Sequence, residues 1–212
     1  MKKRILTIIL TVVCFAAMAD ERSKTILDKV NRNFESYKTF RVVFSMPYDS
    51  KESIEGRFIV EGDKFFLDLH DTEVFYDGKL RYTYSKTDNT VMIESPEDYG
   101  MSVLSNPAKM FSLYDKDFNT EYKGASSVKG KTAENIRLSP KTENEYVYSI
   151  LLSLDASTLR PVSIAYEIPN VTGSLTIDIL SFESNITVSD KDFTFDKSKH
   201  PDVEVIDFRA VN

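Results

Sequence analysis

The sequence predicts a mainly β fold of the α+β class, with about eleven short antiparallel strands in one domain and two or three short helices. Three observations predict it. Apolar residues alternate with polar ones at period two over most of the chain. Turn-forming pairs such as Gly62-Asp63, Asp77-Gly78 and Asp88-Asn89 recur between the alternating runs. Helical spacing of apolar residues is confined to two places.

The chain opens with Lys2, Lys3 and Arg4, an apolar run from Ile5 to Ala16, and the small-x-small site Ala17-Met18-Ala19 before Asp20. That is the pattern of a cleavable secretory signal peptide over residues 1–19, too short and wrongly flanked for a membrane span. Cleavage discards Cys14, the only cysteine. The alternative is a lipid anchor on Cys14, but Val13 before it is larger than a lipoprotein site wants, and Ala19-Asp20 offers a competing cut. The expected product is a single soluble domain over residues 20–212, working outside the cytoplasm.

The elements then follow in order. Ser23 is a plausible N-cap for a helix whose Ile26, Leu27, Val30 and Phe34 share one face. Phe40, Val42, Phe44 and Met46 alternate with Arg41, Val43 and Ser45, and Pro47 ends that strand. Ile54, Phe58 and Val60 make the next, and Phe65, Leu67 and Leu69 the third. Asp77-Gly78 is a hairpin signal between Glu73–Tyr76 and Lys79–Tyr84, and Asp88-Asn89 turns into Val91–Glu94. Residues 95–116 interrupt the meander: Asn106-Pro107 starts a helix carrying Met110, Phe111, Leu113 and Tyr114. Strands resume at Phe118–Lys123, Glu134–Leu138, Tyr146–Leu154, Val162–Ile168 and Leu175–Phe182. In Tyr146–Leu154 the residues Tyr146, Tyr148, Ile150, Leu152 and Leu154 share a face. Val203–Phe208 reads as a final strand or packed extension. So many antiparallel strands give one curved sheet, a sandwich or a barrel. Helices placed before and within the strand run suit a sheet curled around helices that plug or cap its concave face.

Composition narrows the chemistry. The formal net charge of −6 becomes −9 once Lys2, Lys3 and Arg4 leave with the leader, so the chain lacks the basic footprint of nucleic-acid binding and is not drawn to anionic lipid surfaces. Without a thiol, cysteine nucleophiles and zinc–thiolate sites are excluded from the mature chain. Its two histidines, His70 and His200, read as exposed loop residues. The seven glycines form no phosphate loop, and the acidic residues form no calcium loop. No enzyme activity, cofactor or metal is expected. Asn170-Val171-Thr172 and Asn185-Ile186-Thr187 are treated as chance glycosylation triplets. What remains is apolar surface, either ordinary core or the lining of a cavity for a hydrophobic ligand. The short helices containing Met, which adapts to irregular surfaces, favour the cavity.

Several segments, in order and over nearly the whole mature chain, resemble the LolA-type outer-membrane lipoprotein carriers, periplasmic chaperones of Gram-negative bacteria. They are Ile26-Leu27-Asp28-Lys29-Val30, Gly56-Arg57-Phe58, and Val74-Phe75-Tyr76-Asp77-Gly78-Lys79 with Tyr82 and Tyr84 behind it. Further on come Asn106-Pro107, Leu138-Ser139-Pro140-Lys141, Leu154-Asp155 with Leu159-Arg160-Pro161-Val162, Phe193-Thr194-Phe195-Asp196 and the closing residues 201–207. The resemblance implies an incomplete antiparallel β-barrel of about eleven strands with a lid of short helices. It implies a carrier that takes acylated lipoproteins from an inner-membrane ABC transporter, shields their acyl chains and delivers them to the outer membrane, where a receptor is a further partner. It departs from the family at the start of the third strand. There an Arg-Pro pair tied to lid closure is replaced by Glu61-Gly62-Asp63 with Lys64 beyond, and a tryptophan common in that strand is absent. No gating residue is carried over.

The expected cavity lining is Phe40, Phe44, Phe58, Phe65, Leu67, Tyr82, Tyr84, Ile150, Leu152 and Ile164, with Ile26, Val30, Met110 and Phe111 on the lid side. The alternatives are an outer-membrane-anchored receptor or other lipid binder of the same fold, and a non-enzymatic protein-interaction module.

Overall fold

Period-two alternation becomes twelve strands in the computed structural model, which describes residues 21–48, 52–95, 114–142 and 147–209. These residues fall into two compact units, 21–34 with 114–176 and 35–95 with 177–209.

The second unit carries β1 (Thr39–Pro47), β2 (Ser53–Glu61), β3 (Lys64–Leu69), β4 (Thr72–Tyr76), β5 (Arg81–Ser85) and β6 (Thr90–Glu94). It also holds most of β11 (Ser174–Ser184) and, at the end, β12 (Glu204–Asp207). The strand order within it is β12-β6-β5-β4-β3-β2-β1-β11, antiparallel except where β12 runs parallel to β6. Short turns make this meander local. At Asp77-Gly78 the expected two-residue turn is a four-residue loop, because Tyr76 pairs with Arg81. The Asp77 carboxylate accepts from the N–H groups of both Lys79 and Leu80 at 2.8 Å, and Gly78 takes a φ of +92° that suits glycine.

The first unit carries helix α1 over 21–36 as far as residue 34, the single turn α2 (Tyr114–Asp117), β7 (Phe118–Val128), β8 (Lys131–Pro140), β9 (Ser149–Asp155) and β10 (Pro161–Glu167). Its order is β10-β9-β8-β7. The β7–β8 hairpin is longer than its sequence suggested. Residues 124–133 have no apolar alternation, yet Lys129 and Gly130 both take positive φ and close a tight two-residue turn between Val128 and Lys131. Ser23 is not an N-cap: α1 already includes residues 21 and 22, and the Ser23 side chain is fully buried, 2.7 Å from the Thr120 hydroxyl.

The chain is therefore mainly β, in open runs of strands, as the sequence predicts. The lid of several helices does not appear among the described residues, whose only α-helical segments are α1 and α2; Asn106-Pro107, Met110 and Phe111 lie outside them. No described helix is long and apolar enough to cross a membrane.

Two local details bear on stability. Gly56 faces Phe44 across the β1–β2 ladder, and the Phe44 ring lies over it so closely that a Cβ there would sit 2.3 Å from Cζ. Gly56→Ala therefore forces the ring off its seat, at a cost of about 1–3 kcal/mol in urea unfolding, and Phe44→Leu in the same chain recovers part of the loss. In the β9–β10 turn, the Asp155 carboxylate accepts from the Ser157 hydroxyl and from the N–H groups of Ser157 and Thr158. The Ser157 hydroxyl is the largest of the causes that hold its pKa down at about 2. A depressed carboxylate stabilises the fold above its unfolded pKa and loses that contribution as pH falls through the folded value. The stability gap between wild type and Asp155→Ala, followed by thermal unfolding, should be constant above about pH 5 and narrow from about pH 4 down to 2.

Candidate functional site

In the second unit, strand pairing fixes which side chains share a face. Phe40, Val42, Phe44 and Met46 of β1 stand opposite Val60, Phe58, Gly56 and Ile54 of β2. Phe58 and Val60 stand opposite Leu67 and Phe65 of β3, and these opposite Val74 and Tyr76 of β4. The result is one uninterrupted apolar face over β1 to β4. Its rings touch across strands: Phe58 and Phe65 lie 5.7 Å apart and Phe65 and Tyr76 5.4 Å apart, and Phe40 stacks on Phe182 of β11 at 5.6 Å. Five predicted lining residues, Phe40, Phe44, Phe58, Phe65 and Leu67, come together here. All but the half-buried Leu67 are buried.

Tyr82 and Tyr84 do not join them. Tyr76 pairs with Arg81 and Val74 with Thr83, so β5 sends Arg81 and Thr83 to the apolar face and both tyrosines to the other. There they meet the C-terminal segment. Phe195 packs against Phe75, Tyr82 and Tyr84, and His200 stacks on Phe195 and lies 4.3 Å from the Tyr84 ring. His200 is thus a packed residue rather than an exposed one, whereas His70 remains in an exposed turn beside Tyr48. Lys64 bonds Asp190 at 2.5 Å, and Asn89 donates to the Pro201 carbonyl, tying the segment down at both ends.

The sequence reading missed Arg81, Thr83 and Glu94, although a signal for them existed. The loops His70-Asp71 and 77–80 both contain an even number of residues, which preserves the face from one strand to the next. Counting from Phe65 through Tyr76 therefore leads to Arg81 and Thr83, not to the tyrosines. Arg81 pairs in register with Glu94 of β6, itself buried. Burial lowers the Arg81 pKa, and the nearby Glu94 carboxylate opposes that shift.

In the first unit, Ile150 and Leu152 of β9 share a face with Ile136 and Leu138 of β8 and with Ile164 and Tyr166 of β10. Ile150 and Leu152 are each 1% exposed and belong to a packed core. Burial there pushes the Tyr166 phenol up to about 12. Tyr148 precedes β9 and is 69% exposed, so among the described residues the predicted stripe comprises Ile150, Leu152 and Leu154; Tyr146 lies outside them. Helix α1 is fixed over the same face. Besides the Ser23–Thr120 contact, Arg22 pairs with Glu134 at 3.2 Å and lies over the Tyr122 ring, and the Tyr114 hydroxyl donates to Asp28. Its Leu27 and Val30 are buried at 1% and 0%, with Ile26 at 9%. Ile26 also lines a surface hollow of about 640 Å³ between α1 and the β9–β10 turn. A second hollow, about 550 Å³, lies at the 167–174 loop beside Tyr148. No cluster of three or more potential metal-ligating side chains occurs among the described residues.

These features define a class: mainly β proteins of open antiparallel sheet, with one broad apolar sheet face and a docked N-terminal helix. Residues 12–168 match the family described as outer membrane lipoprotein carrier protein LolA, and the chain belongs to that family. Among solved structures, the fold is shared with an uncharacterized conserved protein from Thermus thermophilus (TM-score 0.61, 11% identity, 88% of this chain and 99% of that one). It is also shared with a DUF1329 family protein from Desulfovibrio piger (TM-score 0.51, 13% identity, 86% and 99%). A LolA superfamily protein from Nitrosomonas europaea aligns at TM-score 0.44 and 12% identity over 82% of this chain and 98% of its own. No curated protein matches the chain by sequence.

Leu27 tests how firmly α1 is seated. Leu27→Ala should cost about 2–5 kcal/mol in denaturant unfolding, as expected for emptying a closed core position.

Proposed function

We propose that this chain is a lipoprotein carrier: a non-enzymatic chaperone, freed of its leader behind Ala19, that binds lipoprotein acyl chains and ferries them from the inner to the outer membrane through the periplasm. The observation that carries this reading is the unbroken apolar face of β1 to β4, on a chain that belongs to the outer-membrane lipoprotein carrier family. Phe40, Phe44, Phe58, Phe65 and Leu67 hold the chains by dispersion and water exclusion, without directional bonds. Each acyl CH₂ removed from water gains about 0.8 kcal/mol, so even partial cover of several chains outweighs the cost of staying soluble. The same lack of directional bonds permits release without a nucleotide. Loading is the task of an inner-membrane ABC transporter and unloading that of an outer-membrane receptor. The Ile150, Leu152 and Ile164 layer serves as the base on which α1 rests.

Displacement of a fluorescent fatty acid tests the binding face. Leu67→Asp puts a carboxylate into it at a half-buried position and should weaken probe binding at least tenfold, while Val171→Asp, at a position 58% exposed, leaves it unchanged. Equal loss in both variants, or none in either, overturns the assignment. Mass analysis of the mature protein separates carrier from anchored receptor: a free Asp20 supports the carrier, an acylated Cys14 the receptor.

A further inference from the structure

Across the second unit the apolar face of β1 to β4 gives way to polar residues on β5 and β6. On β1 to β3 one face bears Phe40, Phe44, Phe58 and Leu67, and its reverse is mixed, with Arg41, Arg57 and Asp68 beside Ile59 and the buried Phe66. On β5 and β6 the side continuous with the apolar face bears Arg81, Thr83, Thr90 and Glu94, while the reverse carries Ile93 and also Tyr82, Tyr84 and Val91, which cluster with Phe195 and Val203. The apolar face therefore ends in a polar patch, with Val74, Tyr76 and Met92 at the border.

This patch is not an ordinary solvated surface. Glu94 is 8% exposed and sits in register with Arg81. The Thr83 hydroxyl is buried and has no hydrogen-bond partner among the described residues. A buried hydroxyl without a partner costs about 1–3 kcal/mol, a cost removed when a bound group supplies a partner. Arg81 and Glu94 offset each other's charge, so an ionised ligand group brought here would lack a counter-charge and be penalised by desolvation.

We propose that Thr83, with the Arg81–Glu94 pair beside it, forms a head-group subsite for the uncharged ester of a glyceride-type acyl amphiphile whose chains lie along β1 to β4. The inference rests on the carrier reading and adds to it the orientation of the ligand and the chemistry of its head. The Thr83 hydroxyl donates to the ester carbonyl. Discrimination against free fatty acids follows from the same patch, since the carboxylate meets Glu94 as well as Arg81.

Competition against a bound fluorescent fatty acid at pH 7 tests this, with a monoacylglycerol and the fatty acid of the same chain length as competitors. Wild type should prefer the monoacylglycerol by about tenfold. Thr83→Val, similar in shape, should lower the monoacylglycerol affinity by about threefold to tenfold and leave the fatty acid unaffected. Glu94→Gln, which frees the Arg81 charge, should shift the preference toward the fatty acid. Far-ultraviolet circular dichroism confirms that both variants are folded, and the Thr83 result stands alone should Glu94→Gln fail to fold. If both competitors displace the probe equally well from wild type, or neither variant changes their ratio, the subsite is wrong while the carrier reading stands. If neither competitor displaces a probe from wild type, and no probe binds, both fall. Mass analysis of lipid co-purified from a periplasmic extract separates the two sources of such an ester: a free glyceride, or a glyceride linked to an acylated protein.

Discussion

Each side chain on β1 to β6 is committed to one face by the register with its neighbour, and that register admits no partial slip. A shift of one residue would send Phe58, Phe65 and Leu67 to the side of Arg57 and Asp68, burying charge and exposing rings. Several features hold the pairing in place. The Phe44 ring occupies the space over Gly56, the Asp77 carboxylate closes its loop at four residues, and Arg57 and Lys86 meet Asp68 on the reverse face. The apolar face and its polar end are both consequences of that one constraint.

The same constraint explains why the C-terminal segment is bound where it is. Once the apolar side chains of β5 and β6 turn to the reverse face, Tyr82, Tyr84 and Val91 need cover. Phe193, Phe195, His200 and Val203 are drawn from the tail to this unit, with Phe195, His200 and Val203 packed on those strands and β12 set parallel to β6. The tail buries Phe193 completely and closes the edge of β6, so it acts as a structural part of the sheet. The apolar face of β1 to β4 lies on the side of the sheet opposite to the tail.

Much of the fold was legible because its signals are local. Alternation in Phe40–Met46 and Phe65–Leu69, and turns at Gly62-Asp63 and Asp88-Asn89, name strands without knowledge of their partners. The β7–β8 hairpin was legible only in part, since Gly124 to Ala133 pair through backbone bonds with few apolar side chains to mark them. The site was less legible than the fold. That Phe40, Phe44, Phe58, Phe65 and Leu67 share a face was legible because they are apolar and in phase. Tyr82 and Tyr84 were assigned to them on hydrophobicity alone, which does not report a face. Ile150, Leu152 and Ile164 share a different face, the one over which α1 is seated, which strand pairing and not residue type decides.

By itself the sequence determined the class of the protein: its strands, its tight turns and the family its segments resemble. Those properties are written in residue type and short spacing. Tertiary structure alone decided which apolar side chains meet, because a face is a property of paired strands. It brought Tyr84 to His200 and Arg81 to Glu94, seated α1 through Ser23 and Arg22, and ended the apolar face of β1 to β4 in the polar residues of β5.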